Sequence, residues 1–339
     1  MRETKTSKWY LVPLAILVWF PMSAEGTGAQ TKVNIIYPGA VGAWIVPLVV
    51  AKEQGLFSKN GLDVGLVAVS GATVPRLTGE VPLGYIGGPA ALLQAVGGAN
   101  LKILGSFDTA RLSGEIVARP GITKPEELRG RRFGVRVIGA AQWIHTILAL
   151  EHLGLDLTRD NISTLAVGDE PQIVRALVTG AIDAAVLSQA QSRQLKAKGF
   201  SVLFDLSFAN VYGAPSALAV TATYVNQHPN VVEQVLIALV EATAFSLSPT
   251  NKSTILNTIM RLFDLGDPAA AERTYQNLTG LSRKPYAALE RFKSVQKVMA
   301  IHDPKVLDVN VEELLEDRFV RKLDDSGTID RLYSSYGLK

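Results

Sequence analysis

The chain has 339 residues, 47% apolar and 19% charged, with 34 basic side chains against 31 acidic ones. That length and apolar share supply cores for two ordinary domains and exclude a disordered or low-complexity chain. The absence of cysteine excludes disulfide scaffolds, Cys-ligated zinc, iron–sulfur clusters and thiol nucleophiles; four histidines leave little for a His-rich metal site, and no Lys/Arg run marks a nucleic-acid footprint.

Arg2, Lys5 and Lys8 precede the apolar run Trp9 to Phe20, and small residues follow through Ser23, Ala24, Gly26 and Ala29. This order is that of a secretory signal over residues 1–29, cleaved near Ala29, and the run is shorter than the roughly 20 apolar residues that span a bilayer. An uncleaved interfacial anchor is the alternative. With no cysteine for lipid attachment, the expected mature product is a nearly neutral, exported globular chain. Downstream, the best spanning candidate, Val231 to Phe245, is interrupted by Glu233, Gln234 and Glu241.

From Thr31 the sequence alternates β-branched runs with helical-period segments. Val33 to Tyr37, Val64 to Val69, Leu83 to Ile86 and Ile103 to Phe107 read as strands; Ala43 to Glu53, Val74 to Thr78 and Ala90 to Val96 read as helices between them. A second series opens at Thr123-Lys124-Pro125-Glu126, which has capping-box spacing with Gly130 as the stop. It continues as strand Arg132 to Val135, helix Ala141 to Leu153, strand Ile162 to Val167, helix Pro171 to Thr179, strand Ala181 to Leu187, helix Gln189 to Lys198 and strand Ser201 to Leu206. The chain thus reads as α/β, two units in series, each a mostly parallel sheet flanked by helices.

Gly79 to Ile86 and Gly180 to Leu187 echo one another at a fixed offset, each leaving a helix through glycine, running as an apolar strand and turning through small residues. Two lobes presenting equivalent strand ends to a shared crevice fit that echo. From Ala222 the pattern is helical: Val231, Val232, Val235, Leu236, Leu239 and Val240 form a stripe after His228-Pro229, and helices are expected over Ser253 to Phe263, Pro268 to Thr279, Tyr286 to Met299 and Val311 to Asp317. Ala217 to Val220 suggests a return to the first lobe, with Glu115 to Ala118 and Ser216 to Val220 as two hinge strands. The expected division is lobe 1 over 30–117 and 218–339, and lobe 2 over 118–217.

The stretch Ala51-Lys52-Glu53-Gln54-Gly55-Leu56-Phe57-Ser58-Lys59-Asn60-Gly61-Leu62-Asp63-Val64 resembles the A-x-E-x-G-L-F-x-x-x-G-L-x-V signature of the aliphatic-sulfonate, taurine, nitrate and thiamine-precursor binding family of type II periplasmic binding proteins. The likeness continues in order through Ile116 to Gly134, with Glu127-Leu128-Arg129-Gly130-Arg131 in place of a "dLkGk" turn, Arg175 to Val186 and His228-Pro229-Asn230. Two departures stand out. Pro82 replaces the Asp many relatives carry before the third strand, and Arg136-Val137-Ile138-Gly139-Ala140-Ala141 replaces the common Gly-Ser turn, removing a hydroxyl often offered to an anion. The resemblance implies a two-lobe fold, a small-molecule ligand, an inner-membrane ABC permease as partner, a monomer and no cofactor.

In open α/β sheets ligands sit beyond the carboxyl ends of strands, where helix N-termini present free N–H groups. The strand-to-helix turns are Gly42-Ala43-Trp44 and Gly87-Gly88-Pro89 in the first lobe, and Arg136, Gly139, Ala140, Gln142, Trp143 and Ser188-Gln189 in the second. Trp44 and Trp143 are the tryptophans left after the signal, one per lobe, and are expected to sandwich a ligand unless each packs into its own core. Arg136 and Arg111 are candidates for an anionic group, against solvated loop arginines; Tyr212 overhangs the crevice or decorates a loop; Gln142, Ser188 and Gln189 offer neutral hydrogen bonds or cap their helices.

No GxSxG, GxxxxGK[ST], HExxH or GxGxxG occurs, and His145 and His152 are two helical turns apart, too far to share one metal. Asp169-Glu170 reads as a helix cap and Asp324-Asp325 as part of a polar tail. The sequence therefore points to a non-enzymatic solute receptor of an importer. A ligand-sensing adaptor for a membrane receptor and a thiamine-pyrimidine-synthase-like enzyme are the alternatives, the latter lacking the cysteine cluster of those relatives.

Overall fold

The computed structural model describes residues 30–39, 42–69, 76–108, 111–209 and 211–339. The expected signal, residues 1–29, lies outside them, as do Val74 and Pro75 of the short helix expected up to Thr78. The described remainder of that segment is not helical: Leu77 is buried and its N–H donates to Gln94 Oε1 at 3.0 Å, so a side chain replaces the helical acceptor.

Among the described residues ten strands form two sheets. β1 (Thr31–Tyr37), β2 (Leu62–Ala68), β3 (Leu83–Gly87), β4 (Leu101–Gly105) and a late strand, β10 (Ser216–Thr221), make the first, in the order β2-β1-β3-β10-β4. β6 (Arg132–Val135), β7 (Ser163–Ala166), β8 (Ala184–Leu187), β9 (Ser201–Asp205) and an early strand, β5 (Glu115–Ala118), make the second, in the order β7-β6-β8-β5-β9. The two orders are the same pattern, and β3 and β8, the echoed segments, take the same place in it. In each sheet four strands run one way, while the strand contributed across the junction is antiparallel to both neighbours.

Both expected hinge strands form, each at the point where the chain enters the other sheet. Ile116, Val117 and Ala118 in β5, and Ala217, Leu218, Ala219 and Val220 in β10, have no exposed surface and are bonded on both sides within a sheet. The chain passes between the sheets from Gly105 to Glu115 and from Asp205 to Ser216. The two passages pair with one another through an antiparallel bridge between Arg111 and Tyr212 and a Leu112 N–H to Val211 O bond of 2.8 Å.

Local chemistry explains the elements. At Pro125–Leu128 the cap is made one residue later than expected: Glu127, rather than Glu126, accepts from the Thr123 and Lys124 N–H groups, at 2.6 and 3.2 Å. The helix Glu170–Thr179 has the expected Asp169 cap, with Gln172 Oε1 closing back on the Asp169 N–H at 2.7 Å. Pro229–Leu247 is, contrary to expectation, long and apolar enough to cross a bilayer, yet its stripe is buried in the first sheet's core, and its Glu241 is held by Lys59 Nζ at 2.6 Å and the Tyr336 hydroxyl at 2.8 Å. The C-terminal run also departs from the expected pattern. Val311–Leu314 ends early, and Arg318–Asp325 and Thr328–Ser335 are helices. Asp324, read as part of a tail, binds Lys284 Nζ at 2.6 Å and the Tyr286 hydroxyl at 3.0 Å.

Candidate functional site

The register defines where a site forms. Ser216 lies beside Gly87, Glu115 beside Leu187, and Asp205 beside Glu115. The first crossing therefore runs from the carboxyl end of β4 to beside that of β8, and the second from the carboxyl end of β9 to beside that of β3, in the layer between the sheets where helix N-termini gather.

On the first-sheet side, Ala40 and Val41 lie outside the described residues, and Gly42 leads into a 3-10 turn, Ala43–Ile45. Trp44 is half-buried, its ring 5.4 Å from Tyr85, which is 5.6 Å from Phe107. The Tyr85 hydroxyl donates to Trp44 O at 3.0 Å, and burial, with the charge of Asp108 adding to it, pushes the phenol well above its usual range. Gly87 caps the helix Gly88–Val96, but Gly88 and Pro89 are buried. The Gly88 N–H donates to Pro215 O at 2.6 Å, and a Cβ on Gly88 would lie 2.9 Å from both Phe292 and Pro215 O. The expected ligand contact at Gly88 and Pro89 is thus corrected: this turn is covered by the second crossing and a C-terminal helix.

On the second-sheet side, donors that were candidates for a ligand are bonded internally. The Arg136 N–H donates to Gln142 Oε1 at 3.0 Å and its guanidinium pairs with Asp169 at 2.6 Å. The Ser188 N–H donates to Glu170 Oε1 at 2.6 Å, while its hydroxyl accepts from the Gln191 N–H at 3.4 Å; Gln189 is exposed. Gly139, at φ +82°, turns the chain into Ala140, the cap residue of the helix Ala141–His152. Trp143 is corrected: it is 2% exposed, its Nε1–H donates to Thr164 Oγ1 at 3.0 Å, and it packs among Ile144 and Ile147. The structure does not bring the two indoles together.

The crossings carry a cluster in which the sequence singled out Arg111 and Tyr212 but not Asp108 or Arg291. Asp108, 4% exposed, accepts from Arg291 Nη2 at 2.9 Å and from the Ser216 N–H at 2.9 Å, and Arg291 also donates to Asp108 O and Gly213 O at 2.6 and 3.2 Å. His145 Nε2 accepts from the Ala214 N–H at 3.0 Å; burial lowers its pKa to about 4, against the raising charge of Asp108 and with a smaller lowering from Arg291. Tyr212 is 45% exposed, with the Arg111 and Arg291 guanidiniums over its ring at 5.0 and 5.5 Å. A cavity of about 310 Å³ opens there, lined by Leu148, Tyr212, Gly213, Glu290 and Arg291. Among the described residues no group of three His, Asp or Glu side chains is placed to hold a metal.

Two sheets of one strand pattern, exchanging an antiparallel strand and joined by two paired crossings, define the class: this is the two-lobe periplasmic-binding-protein fold. Residues 43–251 match the NMT1/THI5-like family, and the chain belongs to it. The taurine-binding periplasmic protein of Escherichia coli (strain K12) is 27% identical over 202 residues, a match spanning 58% of this chain and 62% of that protein's length. The periplasmic aliphatic sulphonate binding protein SsuA of E. coli superposes with a TM-score of 0.67 at 17% identity, over 85% of this chain and 92% of SsuA. The desulfurization enzyme DSZB, solved as a cysteine-to-serine variant with biphenyl-2-sulfinic acid, shares the fold at a TM-score of 0.59 and 17% identity, over 88% of this chain and 99% of DSZB.

Proposed function

We propose that the chain is the solute-binding receptor of an ABC importer. It captures a small organic ligand, anionic or aromatic, between its lobes by hinge closure and delivers it to an inner-membrane permease. On this reading residues 1–29 direct export and are removed, and the mature, unlipidated monomer works in the periplasm without a cofactor and without turning its ligand over. The lobes are the two sheets with their helices, divided at 106–114 and 206–215, and the ligand is held by Gly42, Ala43, Trp44, Gly87, Gly139, Ala140, Gln189 and Tyr212.

The observation that carries the reading is the paired crossing. Two strand-exchanged lobes whose chain crosses between them at two paired segments can rotate about those segments, and such a rotation is driven by whatever binds both rims better than water does. The taurine-binding and sulphonate-binding relatives support the same class of ligand. DSZB is an enzyme on this fold, and one of its solved forms had a cysteine replaced, whereas this chain has no cysteine. The test is calorimetry and tryptophan emission on the mature chain across a metabolite panel, with native mass spectrometry of protein from its own host. A retained or saturably bound solute recovered unchanged is expected; no binding across the panel, or conversion of the solute, would overturn the reading.

A further inference from the structure

We infer that Arg111, carried on the face of Tyr212, receives the anionic head of the ligand. This deepens the receptor reading and rests on it. The first ground is position. Arg111 pairs with Tyr212 at the bridge between the crossings, and each crossing runs from the carboxyl end of a strand in one sheet to beside the carboxyl end of a strand in the other, so the pair lies in the layer that the two lobes share. Tyr212, half in solvent, places the guanidinium 5.0 Å from its ring centre. A guanidinium held over a ring by cation–π attraction still has its N–H donors, the fork that fits a sulfonate or carboxylate, to offer a ligand.

The second ground is elimination among the other donors. The Arg136 guanidinium is taken by Asp169, its N–H by Gln142, the Ser188 N–H by Glu170 and the Gly88 N–H by Pro215 O. An anion binding at any of these would have to displace a group of the chain itself, in three cases of the four a side-chain oxygen. Arg111 is exposed and has no carboxylate partner among the described residues. Its nearest acid in the chain, Asp108, has Oδ1 on Arg291 and Oδ2 on the Ser216 N–H. Arg111 is thus a cation whose neighbouring anion is already neutralised.

The third ground is the surface beside it. The aromatic series Trp44, Tyr85 and Phe107 ends in the residue before Asp108, and Trp44 is its half-buried outer member. The ligand class that fits is a small organic anion with an apolar or aromatic body, its head on Arg111 and its body toward Trp44.

The experiment is calorimetry on the mature chain with taurine, ethanesulfonate, benzenesulfonate and benzoate, and in parallel with their charge-free sulfone or amide counterparts. At least one anion is expected to bind more tightly than its neutral counterpart. Arg111→Ala should weaken that anion about 10- to 100-fold, as loss of a charge-assisted contact does. Arg111→Lys should recover part of the loss, and the neutral compound should be unaffected. Should Arg111→Ala fail to fold, Arg111→Lys alone still decides, because a point charge without the fork must weaken the anion and leave the neutral compound alone. The inference is overturned if only neutral compounds bind, if Arg111→Ala changes anion affinity by less than about threefold, or if Arg136→Ala takes the loss instead; in each of these the receptor reading stands. Binding of neither panel nor of any metabolite overturns both.

Discussion

Replacing Arg291 by Met keeps most of the aliphatic stem and strips the guanidinium, and its effect can be worked from the contacts. Asp108 Oδ1 loses its donor, Asp108 O and Gly213 O lose theirs, and a carboxylate almost without solvent is left with one Ser216 N–H. Removing one partner of a buried ion pair costs about 3–5 kcal/mol. Because Arg291 Nε is itself buried without an acceptor, part of the guanidinium's desolvation is uncompensated in the native protein, and the cost belongs near the lower end, about 3 kcal/mol. Asp108→Asn strands the opposite charge. The double variant should lose less than the two singles together, since neither charge remains to be stranded. Urea unfolding of the four proteins at pH 7 measures this coupling. A second readout is independent of unfolding: without the Arg291 charge, His145 faces Asp108 alone, so its pKa should rise from about 4, visible in the imidazole resonances. A loss under about 1 kcal/mol in Arg291→Met, or strict additivity in the double variant, would refute the reasoning that Asp108 and Arg291 act as a buried, coupled pair.

Three further outcomes are expected. His145 is neutral in the folded state down to about 4 but titrates near 6.5 when unfolded, so the unfolded chain binds more protons between those values; stability should fall by about 3 kcal/mol as pH drops through that window, and His145→Gln, which can still accept from the Ala214 N–H, should flatten the dependence of the urea midpoint on pH. Trp143→Phe removes the Nε1–H donor to Thr164 from a buried site and should cost about 1–2 kcal/mol in thermal unfolding while leaving ligand affinity unchanged by calorimetry; a loss of affinity at native stability would return the indole to the crevice. Gly88→Ala places a methyl 2.9 Å from Phe292 and from the Pro215 carbonyl, and should destabilise the chain by about 1–3 kcal/mol in chemical denaturation, whereas an unchanged midpoint would mean that the turn is not packed under the second crossing.

The strand and helix series was legible because each element is set by its own residues. Phe133 and Val135 in β6, or Ile35 in β1, are apolar at a spacing that only a pleated, covered strand uses. The matching places of β3 and β8 were legible too, through the echo between Gly79 to Ile86 and Gly180 to Leu187. Sheet membership was not. Glu115 to Ala118 and Ser216 to Val220 read correctly as strands, but nothing local says that the first pairs with residues 184–187 or the second with 83–87. The Asp108–Arg291 pair is invisible for the same reason, its members lying 183 positions apart. Trp143 is different, since the sequence held the answer: it shares a helical face with Ile147 and Leu150, both buried, and that stripe outweighs the argument from its position at a turn.

The C-terminal helix Leu289–Met299 ties these points together. Its Phe292, Val295, Val298 and Met299 are buried in a single core with Ala91 and Leu92 of the helix after β3 and with Trp143, Ile144 and Ile147 of the helix after β6. Its Arg291 binds Asp108 in the first crossing and Gly213 in the second. When one body rotates against another, contacts open in proportion to their distance from the axis, and a gap of about 1 Å forfeits up to about half of the dispersion attraction. A core shared by both lobes survives rotation only where the axis runs beside it. The axis of any closure that preserves this core therefore passes along Leu289–Met299 and the crossings, and the rims farther from that helix move most.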